Sequence, residues 1–234
     1  MTKENLLFGV VGLLIGLIVG FVFTNSINQR MATGSAVTQN ANTLPPGHPD
    51  IGDTSGAPSG GGMQPEVQAA IEEAKKQPDN FDAQLKVAEF YYQIKRFDGA
   101  LEYLRKANQL KPDNYEVIVH LGNANFDGDH YQEAEKWYTA ALAKKPDDIN
   151  VRTDLGLTFI FRDPPNYDRA IQEFLRSLET DPNHVQTLQN LTVAYTKKGD
   201  SPRANATLAK LEAADAKNEA IPKLRDDIRN IGVK

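Results

Sequence analysis

The sequence predicts an all-α protein: a solenoid of about four stacked helical hairpins, capped by single helices and preceded by one N-terminal transmembrane helix. Three observations carry the prediction. Prolines recur at Pro78, Pro112, Pro146 and Pro182, spaced by 34, 34 and 36 residues, each followed by Asp or Asn. Aligned on these prolines, the intervening segments place the same residue types in the same columns. Residues 6–23 form an uncharged, nearly wholly apolar run. A fixed period of this length marks a helix–turn–helix unit that cannot bury its apolar stripe alone and stacks on its neighbours.

The membrane element comes first. Its 18 uncharged residues, 6–23, span about 27 Å as a helix, close to the hydrocarbon thickness. One pass is the natural reading. A cleavable signal peptide is the alternative, against which stand the length of the run and the lack of an Ala-x-Ala site close behind it. Residues 1–5 are a short cytoplasmic N-terminus, and the large domain that follows favours the outer side of a bacterial inner membrane, the periplasm. Gly12, Gly16 and Gly20 recur every four residues. They could pair two such helices into a homodimer, or simply reflect how frequent glycine is in membrane helices.

Residues 24–63 are rich in Gly, Ser, Thr, Asn, Gln and Pro, with Arg30, Asp50 and Asp53 as their charges. Such a composition cannot bury a core and predicts a disordered tether reaching about 35 Å. Within it, the stretch from Leu44 to Ile51, with Pro45, Pro46, His48 and Pro49, reads either as a short docking motif or as proline-stiffened linker.

The repeat region begins with a capping helix over 64–80, where Val67, Ala70, Ile71 and Ala74 stand at helical spacing. Hairpins follow at 81–114, 115–148, 149–184 and a degenerate 185–218. The third carries two extra residues in the turn from Arg162 to Asn166, which accounts for the 36-residue interval. A C-terminal helix over 219–234 sets Ile221, Leu224, Ile228 and Ile231 against Lys223, Arg225, Asp226 and Arg229.

Ala88, Gly122 and Gly156 on first helices, and Ala100, Ala134 and Ala170 on second helices, are small enough to let two backbones approach. After each proline, Asp79, Asp113 or Asn114, Asp147 and Asn183 are candidate N-caps. Gly128 and Gly199 suit turns that other residues enter only with strain, and Ser201-Pro202 reads as an N-cap followed by proline.

Composition excludes several classes. With 26 basic and 31 acidic residues in all, of which 2 and 3 lie in the first 65, the repeat region keeps 24 and 28, a net charge of −4 that argues against nucleic-acid binding. Cysteine is absent, so no thiol nucleophile, disulfide or Cys-based metal site is available. His48, His120, His130 and His184 are not spaced as metal ligands on one helix, and no glycine-rich phosphate loop occurs. Most carboxylates, such as Glu133 and Glu135, read as solvated helix faces, and Trp137 and the tyrosines as core. No catalytic residue, cofactor or metal is expected.

The columns resemble the tetratricopeptide repeat (TPR) family. They run Val87-Ala88, Tyr91, Phe97, Ala100, Leu104, Ala107 and Pro112 in the first unit, and Leu121-Gly122, Asn125, Tyr131, Ala134, Tyr138, Ala141 and Pro146 in the second. The third runs Leu155-Gly156, Phe159, Tyr167, Ala170, Phe174, Ser177 and Pro182; the fourth keeps Leu191, Tyr195, Ala204 and Leu208 but has Thr192, Ser201 and Ala216 in the small, aromatic and proline columns. The resemblance implies that first helices line a concave groove for a peptide or protein partner.

Carried onto this chain, the family's contact positions include Asp82, Leu85, Glu89, Tyr92 and Gln93, then Glu116, Val119, Asn123, Phe126 and Asp127. They continue with Asn150, Thr153, Leu157, Ile160 and Phe161, then Gln186, Gln189, Val193, Thr196 and Lys197. The candidate groove is Tyr92, Val119, Asn123, Phe126, Asn150, Leu157, Ile160, Phe161, Gln186 and Gln189. Phe126 is its foremost anchor, with packing between adjacent hairpins as the alternative for each large apolar group.

The carboxylate clamp of some family members sets Lys, Asn, Asn, Lys and Arg at positions that here hold Leu85, Glu89, His120, Asn150 and Asp154, or in the other register Val119, Asn123, Asp154, Gln186 and Asn190, and neither set carries a lysine or arginine. Chaperone-tail binding is therefore disfavoured. The layout is similar to that of anchored TPR proteins serving cytochrome c maturation, and the implied function is a membrane-anchored scaffold rather than an enzyme. The alternatives are a structural subunit with its groove covered, or an enzyme whose site spacing does not reveal.

Overall fold

The computed structural model describes residues 65–232, which form ten α-helices in series. The membrane segment with Gly12, Gly16 and Gly20, the tether and its motif from Leu44 to Ile51 lie outside the described residues. Among the described residues no helix is long and apolar enough to cross a membrane. The helices are α1 (Pro65–Lys76), α2 (Phe81–Gln93), α3 (Phe97–Leu110), α4 (Tyr115–Asp127), α5 (Tyr131–Lys144), α6 (Ile149–Phe161), α7 (Tyr167–Thr180), α8 (Val185–Lys198), α9 (Ser201–Ala214) and α10 (Ile221–Arg229). Helices α2/α3, α4/α5, α6/α7 and α8/α9 pair as antiparallel hairpins, and each of the second helices α3, α5 and α7 also packs on the next first helix. This is an all-helical solenoid.

Helix starts follow from side-chain chemistry, one residue later than expected at three of the sites. Asn80, Asn114 and Asp148 accept from the free amides of Ala83, Val117 and Val151 at 3.1, 3.0 and 3.0 Å. Asp79 and Asp147 are therefore not the caps, and Asp113 instead takes the Lys144 ammonium at 2.6 Å. Nor is Asn183 a cap: His184 holds that place before α8, with its ring Nδ1 against Thr187 Oγ1 at 2.7 Å. The cap of α9 is Asp200, not Ser201, its carboxylate accepting from the Arg203 amide at 3.1 Å. The proline and the residue after it complete a turn, so only the next residue can reach the first helical amides.

The hairpin turns share one demand. Lys95, Asp129 and Gly199, each at the same place in its unit, have φ of 58°, 63° and 80°. Gly128 has φ −84°, an angle open to any residue, so Asp129, not Gly128, takes the left-handed conformation there. The third hairpin avoids the demand through its insertion, which contains a cis Asp163-Pro164 bond.

Within hairpins the small columns are steric necessities. A Cβ built on Gly122 would stand 2.5 Å from Tyr138, and one on Gly156 would stand 2.4 Å from Phe174. In the first hairpin the arrangement is exchanged: a Cβ on Gly99 of α3 would meet the Tyr91 ring of α2 at 2.6 Å. Ala88, Ala100, Ala134 and Ala170 are buried with them.

The array is closed at both ends. Helix α1 buries Val67, Ala70, Ile71 and Ala74, and Gln84 of α2 donates to the carbonyl of Ala74 at 2.9 Å, satisfying a C-terminal acceptor of α1. At the other end α10 buries Ile221, Leu224 and Ile228.

Candidate partner-binding face

The first helices α2, α4, α6 and α8 form one layer. Tyr92 Oη of α2 donates to the Asp127 carboxylate of α4. The rings of Phe126 in α4 and Phe161 in α6 meet edge-on with centroids 5.8 Å apart. Thr153 of α6 and Thr187 of α8 share a 2.6 Å hydrogen bond. The side chains that point away from the second helices make the face on which a partner can lie.

The candidate residues divide by depth on that face. Asn150 is exposed, and Tyr92, Val119, Ile160, Phe161 and Gln186 are half-buried. Phe126, at 1% exposure, and Leu157, at 0%, are interior. Phe126 packs between Tyr131 and Phe161, with centroids 5.4 and 5.8 Å away, and those two rings stack on one another at 6.0 Å. It sits in the last turn of α4, where its ring reaches over to the start of α5 and the following hairpin closes on it. Phe126 therefore packs between hairpins, and Leu157 is enclosed in the interior, so neither is placed to anchor a ligand. Gln189 is also buried, at 6%. Asn123, 7% exposed, spends its Oδ1 on the hydroxyl of the fully buried Tyr138 at 2.9 Å. It orders the α4–α5 contact instead of standing open for a ligand.

Beside this row stands a set of carboxylates that spacing did not single out as a group. Asp154 on α6 keeps part of its surface open, yet its carboxyl is pushed up to about 8, first by desolvation, then by the charges of Asp127 and Asp148. Glu89 on α2 is exposed and is likewise raised by desolvation. Where protein crowds a carboxyl, the low-dielectric surroundings disfavour its charged form. His120, half-buried on α4, is lowered by the same burial against the opposing effect of Glu116. Asp127 and Asp154 are 27 positions apart in sequence. Only the register of one hairpin on the next brings them under a common field.

The hairpin geometry, with its 34-residue period, close-packed small columns and first-helix layer, coincides with two matches to the tetratricopeptide repeat family, over residues 64–115 and 95–153. Residues 64–153 match the TPR family. Among solved structures, a crystal structure of MamA superimposes with a TM-score of 0.59 at 26% identity, covering 64% of this chain and 87% of that one. A TPR protein from Parabacteroides merdae matches with a TM-score of 0.58 at 17% identity, over 64% of this chain and 59% of its own. A thermophilic TPR protein from Thermus thermophilus gives 0.51 at 16% identity, over 65% and 81%. The last two likenesses show the TPR fold alone. No curated protein sequence matches the chain.

Proposed function

We propose that this TPR protein is a non-catalytic adaptor, anchored in a bacterial inner membrane by residues 6–23, whose first-helix face holds a peptide or protein partner on the periplasmic side. One observation carries the reading. The inner layer of four helices presents an uncovered row of amide, aliphatic and aromatic side chains, Tyr92, Val119, Asn150, Ile160, Phe161 and Gln186, of the kind that seats an extended chain. The uncharged run of 18 residues supports the anchor, and the composition of 24–63 supports a tether long enough for the domain to search near the bilayer. Neither the fold nor the matched structures point to cytochrome c maturation.

Two measurements test it. A reporter fused after Lys234 is expected to be active outside the cytoplasm and to stay with membranes through a high-salt wash; a cytoplasmic or soluble reporter removes the anchor. Photo-crosslinkers placed at Asn150 and Gln186 are expected to capture a defined partner from membranes, whereas one at the exposed Glu102 of α3 is not. Capture from Glu102 alone moves the binding face to the second helices.

A further inference from the structure

Charge is distributed unevenly between the two helix layers. Most carboxylates on second helices are neutralised by partners, Glu102 by Lys106 at 2.7 Å, Glu133 by Lys136 at 2.6 Å and Glu135 by Arg162 at 3.2 Å, while Asp98 and Glu179 form no ion pair among the described residues. Glu173, buried on α7, gathers Arg152 at 3.0 Å, Arg169 at 3.2 Å and Arg176 at 3.5 Å. On the first helices pairing is rarer. Asp82, Glu89, Glu116 and Asp154 form no ion pair among the described residues, and Asp127 is held by the neutral hydroxyl of Tyr92.

The cations that first helices do carry are largely directed elsewhere. Arg152 is bound to Glu173 and to the carbonyl of Pro146, and Lys198 to Asp168 of α7. Among the described residues, Lys86 is the one lysine or arginine of α2, α4 and α6 that is not committed to a second helix. In α8 the corresponding row turns to an amide and a lysine, the half-buried Gln186 and the exposed Lys197, with Gln189 buried behind them.

We infer that the face of α2, α4 and α6 docks an extended segment of a protein partner bearing two or more lysine or arginine side chains, whose uncharged end lies along Gln186 of α8. This rests on the groove reading of the preceding subsection and adds the chemistry of the occupant. Charge complementarity selects it: a wall with Asp82, Glu89, Glu116 and Asp154 against the single cation Lys86 repels acidic segments and gains Coulomb energy from basic ones, more so where the wall excludes water. Desolvation raises both Glu89 and Asp154, and the charges of Asp127 and Asp148 add to it at Asp154, so Asp154 joins the negative wall only as pH approaches about 8 or a cation arrives. A bound ammonium or guanidinium restores the ionised form of Asp154, so affinity rises with pH as that carboxyl, subject also to Asp127 and Asp148, gives up its proton.

The test uses the full-length chain in mild detergent and three fluorescent peptides of about 12 residues, matched in apolar content, that carry lysine, glutamine or glutamate at the same places. The lysine peptide is expected to bind at least about tenfold more tightly than the others and to weaken about tenfold in Glu89→Gln/Glu116→Gln/Asp154→Asn, and again as salt rises from about 50 to about 200 mM. Glu102→Gln/Glu133→Gln on second helices is expected to leave it unchanged. Should Asp154→Asn alter the helical spectrum, Glu89→Gln/Glu116→Gln carries the comparison alone.

Equal binding of the glutamine peptide, insensitive to neutralisation but lost on substituting Asn150 and Gln186, overturns the basic occupant and keeps the groove. Equal weakening by the first-helix and second-helix variants overturns both. Failure of the lysine peptide to bind at millimolar concentration overturns the basic occupant.

Discussion

The first hairpin and the two that follow it solve one packing problem in opposite ways. In the second and third, the glycine lies on the first helix and the ring on the second: Gly122 under Tyr138, Gly156 under Phe174. In the first hairpin the ring, Tyr91, lies on the first helix and the glycine, Gly99, on the second. There the column that holds the other two glycines carries Ala88, and the column of the other two rings carries Leu104. In these three hairpins one absent Cβ lies opposite one flat ring, and either helix can supply the ring. The fourth hairpin has neither arrangement: its two columns hold Thr192 and Leu208, and Arg203 lies over the Tyr195 ring at 5.0 Å.

The strongest way to break this comparison is to overfill it. Gly156→Leu or Gly122→Leu is expected to cost about 3 kcal/mol, because the ring beneath is fully enclosed and cannot yield, lowering the melting temperature by roughly 6–12 °C. Glu133→Ala, whose ion pair with Lys136 is exposed, is expected to change stability by less than about 0.5 kcal/mol. Similar melting curves for the three would mean that the close contact lies elsewhere.

A rescue sharpens the same point. Gly122→Ala with Tyr138→Leu recreates the Ala88/Leu104 pair of the first hairpin. It is expected to recover at least about 1 kcal/mol of the loss summed from the single changes, a coupling typical of residues in contact. Denaturant titration of the four members of the cycle measures it, and simple additivity would sink the idea of a shared volume. Part of the Tyr138→Leu loss persists in the double variant, since the hydroxyl bond to Asn123 is worth only about 1 kcal/mol but leaves an amide oxygen unpaired.

Smaller effects distinguish the acidic first-helix layer from the paired second layer. The folded chain holds Asp154 protonated up to about 8, whereas the unfolded chain ionises it in the ordinary carboxylate range. Its contribution to stability is therefore full below that ordinary range, declines as pH rises towards 8 and is absent above. Asp154→Asn is expected to flatten this decline and to be more stable than the parent at pH 8. Unfolding midpoints between pH 5 and 9 check it, and parallel profiles for parent and variant would refute the desolvated carboxyl.

The smallest change concerns the turns. Lys95→Gly, at φ 58°, is expected to raise stability by roughly 0.5–1 kcal/mol, and Gly199→Ala, at φ 80°, to lower it by about 1 kcal/mol. Opposite signs in thermal unfolding are the expected outcome.

Much of this was legible in one dimension, because a column that recurs every 34 residues reports the same packing contact each time. The small residues of the hairpins, the buried stripes of α1 and α10 and the aromatic columns were readable in this way. The caps were read one residue early at Asp79 and Asp147, since capping depends on where the turn delivers the first free amides. The left-handed residues Lys95 and Asp129 carry no composition signal, since neither is glycine; only the later Gly199 marks the place.

By itself the sequence determined the number of hairpins, which faces are apolar and which side-chain types line the first helices, since periodicity records the direction in which a side chain leaves its helix. The tertiary structure alone decided depth. Phe126 and Leu157 stand at contact positions like those of Ile160 and Phe161, but both are buried, Phe126 because the ring of Phe161 in the next hairpin closes on it. The field that Asp127 and Asp154 share arises in the same way, for both burial and electrostatics depend on distances between helices that the chain brings together only after folding.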